Sequence, residues 1–141
     1  MYTKLVDIIK KLMQFSTKAE YGLKAIVNLA QCYPAQKTIK EIAIEENISQ
    51  KYLERILGNL RDGNVIDSVK GKNGGYTLAK DPKKITAGEV IEILDGPISP
   101  MRCVGKFCAM EKKCPSSIVW NKLGVQIQKT LYGIKLSDLI K

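Results

Sequence analysis

Apolar residues recur along this chain in two periods, and the switches between them mark out its elements. Residues 1–12 place Leu5, Ile8, Ile9 and Leu12 at helical spacing, but Met13 is an equally good natural start, so they are set aside as an N-terminal extension. The first well-marked helix is predicted over about 17–32, with Tyr21, Ala25, Ile26, Leu29 and Ala30 on one stripe. Ser16 and Thr17 offer N-caps, and Glu20 follows Thr17 at the spacing of a capping box. Pro34 ends that helix. Thr38 with Glu41 makes a second box and opens a short helix to about Glu46, after which Asn47 and Ile48 turn the chain. Ser49 caps a third helix whose Leu53, Ile56, Leu57 and Leu60 face inward until Gly63.

The period then changes. VIDSVKG, KNGG and YTLA read as two strand-like runs around an Asn-Gly turn with an extra glycine, a β-hairpin. Asp81 and Pro82 break the chain, and Thr86 with Glu89 opens a helix through Val90, Ile91, Ile93 and Leu94 as far as Gly96 and Pro97. Residues 97–115 show no regular period. A long helix follows from about Ser116 to Tyr132, with Ile118, Val119, Leu123, Ile127 and Leu131 near one face; Gly133 ends it and Ser137 caps a last turn.

Two short helices joined by a tight turn form a helix-turn-helix, and a hairpin behind them is a wing. The fold is therefore expected to be mainly α with a small β-hairpin wing. Residues 13–96 make the winged helix-turn-helix domain, 97–115 a cysteine-bearing loop, and 116–141 a dimerisation helix with a C-terminal turn. The long helix has no obvious partner left in so small a domain, so a symmetric homodimer is expected to bury it.

Charge narrows the partner. A net charge of +9, from 23 Lys and Arg against 14 Asp and Glu, favours a polyanion such as nucleic acid or an acidic membrane surface. No apolar run spans a bilayer and residues 1–12 lack the pattern of a signal peptide, so the chain is expected to be cytoplasmic with no membrane partner. Residues 48–84 carry eight Lys and Arg against four acids, and residues 101–141 carry eight against two, so the basic excess is not confined to the reading head.

The second helix of a helix-turn-helix enters the major groove of double-stranded DNA with its first residues at the base edges. Here those are Ser49, Gln50, Lys51, Tyr52, Glu54 and Arg55, types that suit adenine, guanine and cytosine edges. On the wing, Lys70, Lys72, Asn73 and Gly74 place two cations beside glycines that allow close backbone approach to phosphate or the minor groove. Against this stands the plain reading of a solvated charged face and a structural hairpin.

Cys103, Cys108 and Cys114 lie in RCVGKFCAMEKKCPS with four and five residues between successive cysteines. In a reducing compartment such a cluster reads as metal or iron–sulfur ligands before disulfides, although three reduced or fortuitously paired thiols remain the alternative. The chain holds no histidine, which excludes Cys-His zinc patterns. Arg102, Lys106, Lys112 and Lys113 would favour thiolates, whereas Cys32 reads as a small apolar residue.

These residues together resemble one family. FSTKAEYGLKAI, ISQKYLERILGNLR, SVKGKNGGYTLAKDP, ITAGEVIEILDG and RCVGKFCAMEKKCPSSIVW occur in the order of the Rrf family of winged-helix regulators, of the IscR, NsrR and CymR type. The resemblance covers nearly everything from Met13 onward. It implies homodimers on palindromic promoter operators, and an iron–sulfur cluster, [2Fe-2S] before [4Fe-4S], whose state changes DNA affinity. By analogy Cys103, Cys108 and Cys114 are the cluster ligands and Glu54 a base-contacting position. The IscR-type histidine ligand is replaced by Ser117, whereas Glu20 stands where NsrR-like members supply a carboxylate from the partner subunit. Glu20 is thus either the fourth ligand or the capping-box partner of Thr17. Two rivals stay open: a metal-free or zinc-binding regulator acting through a protein partner, and a small iron–sulfur redox protein. The lack of any catalytic base or substrate-pocket signature argues against an enzyme.

Overall fold

The computed structural model describes residues 15–72, 74–100 and 114–140, so the helical pattern in 1–12, Asn73, Cys103 and Cys108 lie outside the described residues. Among the described residues, six α-helices and one hairpin follow in chain order: α1 (Thr17–Cys32), α2 (Ile39–Glu46), α3 (Gln50–Asp62), β1 (Ile66–Val69), β2 (Gly75–Leu78), α4 (Ala87–Asp95), α5 (Ser117–Gly133) and α6 (Leu136–Leu139). A 3-10 turn, Pro82–Lys84, precedes α4.

The core forms where the apolar stripes of α1, α3 and α4 meet. Ala25, Ile26, Leu29, Leu53, Ile56, Leu57, Leu60 and Val90 are all fully buried in one cluster. Gly22 lets α1 and α4 approach closely, since a β-carbon there would collide with Leu94 Cδ1. Ser49 caps α3 by accepting from Tyr52 N at 3.2 Å, and Asn47 turns the chain ahead of it in the left-handed region (φ 54°).

Several local expectations are corrected. Ser16, not Thr17, caps α1, accepting from Ala19 N at 3.0 Å, and its own hydroxyl and N–H donate to Asp95 at the end of α4. Glu20 therefore takes no part in a capping box. Thr38 and Glu41 do form the reciprocal box, but at α4 only the Thr86 half forms, because Glu89 pairs with Lys80 at 3.1 Å. Gly63 ends α3 without a positive φ. Asn64 takes the left-handed conformation (φ 62°), and Gly63 is small because Ile93 Cδ1 would lie 2.6 Å from its β-carbon.

The hairpin is antiparallel, Ile66 opposite Leu78 and Val69 opposite Gly75. Residues 70–74 connect the two strands: Gly74 N donates to Gly71 O at 3.0 Å, and Gly71 has φ 123°. Lys37 adds a third rung, exchanging both backbone bonds with Tyr76 (2.9 and 2.7 Å), which ties the wing to the residue before the α2 cap.

The long helix α5 does find a partner within the domain. Its C-terminal half lays Ile127 and Leu131 on Ala19, Ile91 and Ile98, and the Tyr132 ring covers Gly88 of α4. The chain then returns: Ala87 N donates to Ile134 O (2.8 Å) and Leu136 N to Ile85 O (2.9 Å), which delivers Leu136, fully buried, into the main core. The last turn is capped from Lys135, whose N–H donates to Asp138 (2.9 Å), and not from Ser137.

Candidate nucleic-acid interface and cysteine segment

Because Leu53, Ile56, Leu57 and Leu60 consume one side of α3, the other side is left to water. Ser49, Gln50, Lys51, Glu54 and Arg55 are all exposed there. Tyr52 is the exception. It is half-buried, its ring edge-to-face with Tyr21 at 5.9 Å and 80°, which braces α1 against the first turn of α3. Lys24 Nζ sits 5.6 Å from the centre of the Tyr21 ring and 3.6 Å from Glu20. Lys70, Gly71 and Lys72 are exposed at the wing and Gly74 is half-buried. A β-carbon on Gly74 would stand 2.5 Å from the Val69 carbonyl oxygen, so the glycine is needed for the turn itself.

Among the described residues no group of three or more cysteine, carboxylate or histidine side chains is gathered, and only one of the three clustered cysteines falls within them. That one, Cys114, is half-buried just ahead of α5. Its carbonyl accepts from Ser117 Oγ (2.7 Å) and Ser117 N (3.1 Å). The Ser116 hydroxyl, 3.0 Å from Sγ, and then the backbone N–H of Ser117 draw the thiol below its ordinary value. Stabilised thiolate at a helix start is the chemistry a soft-metal ligand requires, so Cys114 fits an iron–sulfur donor set. Glu20 fits as well: its carboxylate is exposed, outside any cap, and among the described residues it pairs across the surface with Lys24. Cys32 is half-buried, its thiol donating to Leu29 O at 3.3 Å, in keeping with a packing role.

Two features were not anticipated. Leu136 lies beyond the glycine that ends α5, and nothing in its short segment distinguishes a core residue from a surface turn. Asn28 is the one buried polar residue among the described residues. The signal for it was legible, a lone amide inside the apolar run Ile26 to Ala30.

A buried three-helix core, a helix whose polar side faces outward after a tight turn, and a hairpin pinned behind it define a winged-helix DNA-binding transcription regulator. A family model described as "Rrf2: Iron-dependent Transcriptional regulator" matches residues 15–141, and the chain belongs to that family. It is similar to the HTH-type transcriptional regulator CymR of Bacillus subtilis, 35% identical over 129 residues that cover 90% of this chain and 89% of that protein. The solved structure of CymR, described as the global cysteine regulator of B. subtilis, matches with a TM-score of 0.75 at 32% identity, over 89% of this chain and 95% of that one. T. potens IscR matches with a TM-score of 0.74 at 33% identity, over 89% and 85%. The chain is a regulator and not an enzyme. No helix of the described residues is long and apolar enough to cross a membrane.

Proposed function

We propose that the protein is a homodimer that grips a palindromic operator through α3 and the wing, and whose grip is set by an iron–sulfur cluster on Cys103, Cys108 and Cys114. Glu20 of the partner subunit is the fourth ligand in this reading. The observation that carries it is the position of Cys114: it stands just ahead of α5, its carbonyl accepting from Ser117, and the far end of α5 is seated on α4 through Tyr132 and Leu131. A constraint applied to that thiolate therefore acts on a helix already anchored to the reading domain.

When bound, the cluster supplies a centre that oxidants or nitric oxide can alter. Cys114 contributes a thiolate favoured by Ser116 and Ser117, and Glu20 an exposed carboxylate. Ile118, Val119, Leu123 and Val125, all exposed on the N-terminal half of α5, supply the apolar surface for the second copy. Gln50, Lys51, Glu54 and Arg55 read base edges, while Lys70 and Lys72 neutralise phosphates. The description of the family as iron-dependent supports the reading.

Anaerobic iron and sulfide analysis of wild type and Cys108→Ala, with operator affinity measured on both, tests it. Stoichiometric iron and sulfide in the wild type, lost together with normal operator affinity in the variant, is expected. A colourless protein whose affinity ignores the substitution defeats it and favours a regulator working through cysteine chemistry or a protein partner.

A further inference from the structure

Asn28 is only 3% exposed, and burying an amide is costly unless each polar atom is paired. Here the pairing is complete. Nδ2 donates to Glu45 Oε2 (2.8 Å) and to Glu46 Oε1 (2.7 Å), and Oδ1 accepts from Lys37 Nζ (2.7 Å). Lys37 Nζ also donates to Glu45 Oε2 at 2.6 Å. The groups so joined come from three places: α1, the last turn of α2, and the residue whose backbone pairs with Tyr76 of the wing. Glu45 and Glu46 are poorly placed for helix stability, two carboxylates at the negative end of the α2 dipole with no basic residue in that turn. Without the amide, Lys37 would still pair with Glu45, whose side chain is exposed, so that ion pair would not be left buried and broken.

From this arrangement we infer that Asn28 is a positioning residue for DNA binding, holding the wing and the recognition helix at one fixed separation. Glu46 is followed at once by Asn47, Ile48 and Ser49, the turn that launches α3. Lys37 holds β2 by its backbone and the amide by its side chain. One buried group thereby sets the angle between both DNA-contacting elements. The inference rests on the DNA-binding assignment and extends it to a residue that touches no DNA.

The test uses the full chain and two duplexes: one selected by the wild type from a random pool, and one random duplex of the same length. Asn28→Leu is expected to keep the wild-type helicity and to lose about tenfold or more on the selected duplex, against a much smaller loss on the random duplex. The cost of Lys72→Ala on the selected duplex should shrink in the Asn28→Leu background, because a displaced wing has less contact to lose. Unchanged selected-duplex affinity in folded Asn28→Leu overturns the inference. Glu45→Gln, at the exposed edge of the network, covers the case of a variant that does not fold: a loss of about threefold or more on the selected duplex alone supports the inference, and none overturns it. If the DNA-binding assignment itself were wrong, the wild type would select no duplex.

Discussion

The ring of Tyr132 lies flat over Gly88, so close that a β-carbon there would stand 2.5 Å from Cδ2. Its hydroxyl donates to Glu92 one turn further along α4. Gly88→Ala is expected to cost about 1–3 kcal/mol by overpacking, and to loosen the C-terminal half of α5 before the core melts. Urea unfolding followed at Trp120 and by far-ultraviolet dichroism checks this; coincident, unshifted transitions would count against it.

Leu136→Ala should destabilise the whole domain by about 2–5 kcal/mol, the cost of a large-to-small change at a fully buried site. The loss should be seen in the denaturation midpoint with little change in slope. A cost below that range would mean the returning segment is only loosely seated.

Lys72→Ala and Gln50→Ala should separate positioning from reading. Lys72→Ala is expected to weaken binding to all sequences and lower the salt slope of log K by about one. Gln50→Ala is expected to cost about 1–3 kcal/mol on the preferred operator and little on random DNA. The reverse pattern in a salt titration would exchange their roles.

Glu20→Ala should reduce iron and sulfide retention while leaving helicity and melting nearly unchanged, because Ser16 caps α1 and, among the described residues, the carboxylate meets Lys24 at 3.6 Å across the surface. A drop in melting temperature with full iron retention would instead assign Glu20 to the helix.

Acid should weaken the fold through α2. The Thr38 N–H and hydroxyl hold the Glu41 carboxyl below its ordinary 4.5, and Lys37 followed by Asn28 does the same for Glu45. Carboxyl groups lowered in the folded state add stability that is complete above 4.5 and is lost as pH falls below it toward the folded values. Glu41→Gln and Glu45→Gln should each flatten the pH dependence of the melting temperature below 4.5, with no difference in shape between pH 6 and 8.

The elements themselves were readable wherever one short-range rule decided the outcome. Thr38 with Glu41, Ser49 ahead of Leu53, and the glycine at 96 act within a turn of where they stand, and the helices begin and end accordingly. Legibility failed where a distant side chain won a local competition. Ser16 was preferred over Thr17 as cap because Asp95 also engages it; Glu89 left its box for Lys80; and Gly63 answers to Ile93. The half of α5 that packs on α4 was missed for the same reason, since Ile127 and Leu131 look no different from Ile118 and Leu123. For the candidate site, residue types marked the face of α3 that is exposed, but Tyr52 turned inward to Tyr21, a contact across 31 positions that no local pattern encodes.

The backbone pairing of Ile134 and Leu136 with Ala87 and Ile85 ties together two stretches that bracket the cysteine segment in the chain. A chain emerging from the ribosome lacks one of its central side chains until position 136 is free to fold. All three thiols have by then been made, so the finished DNA-binding head cannot precede the groups proposed to govern it.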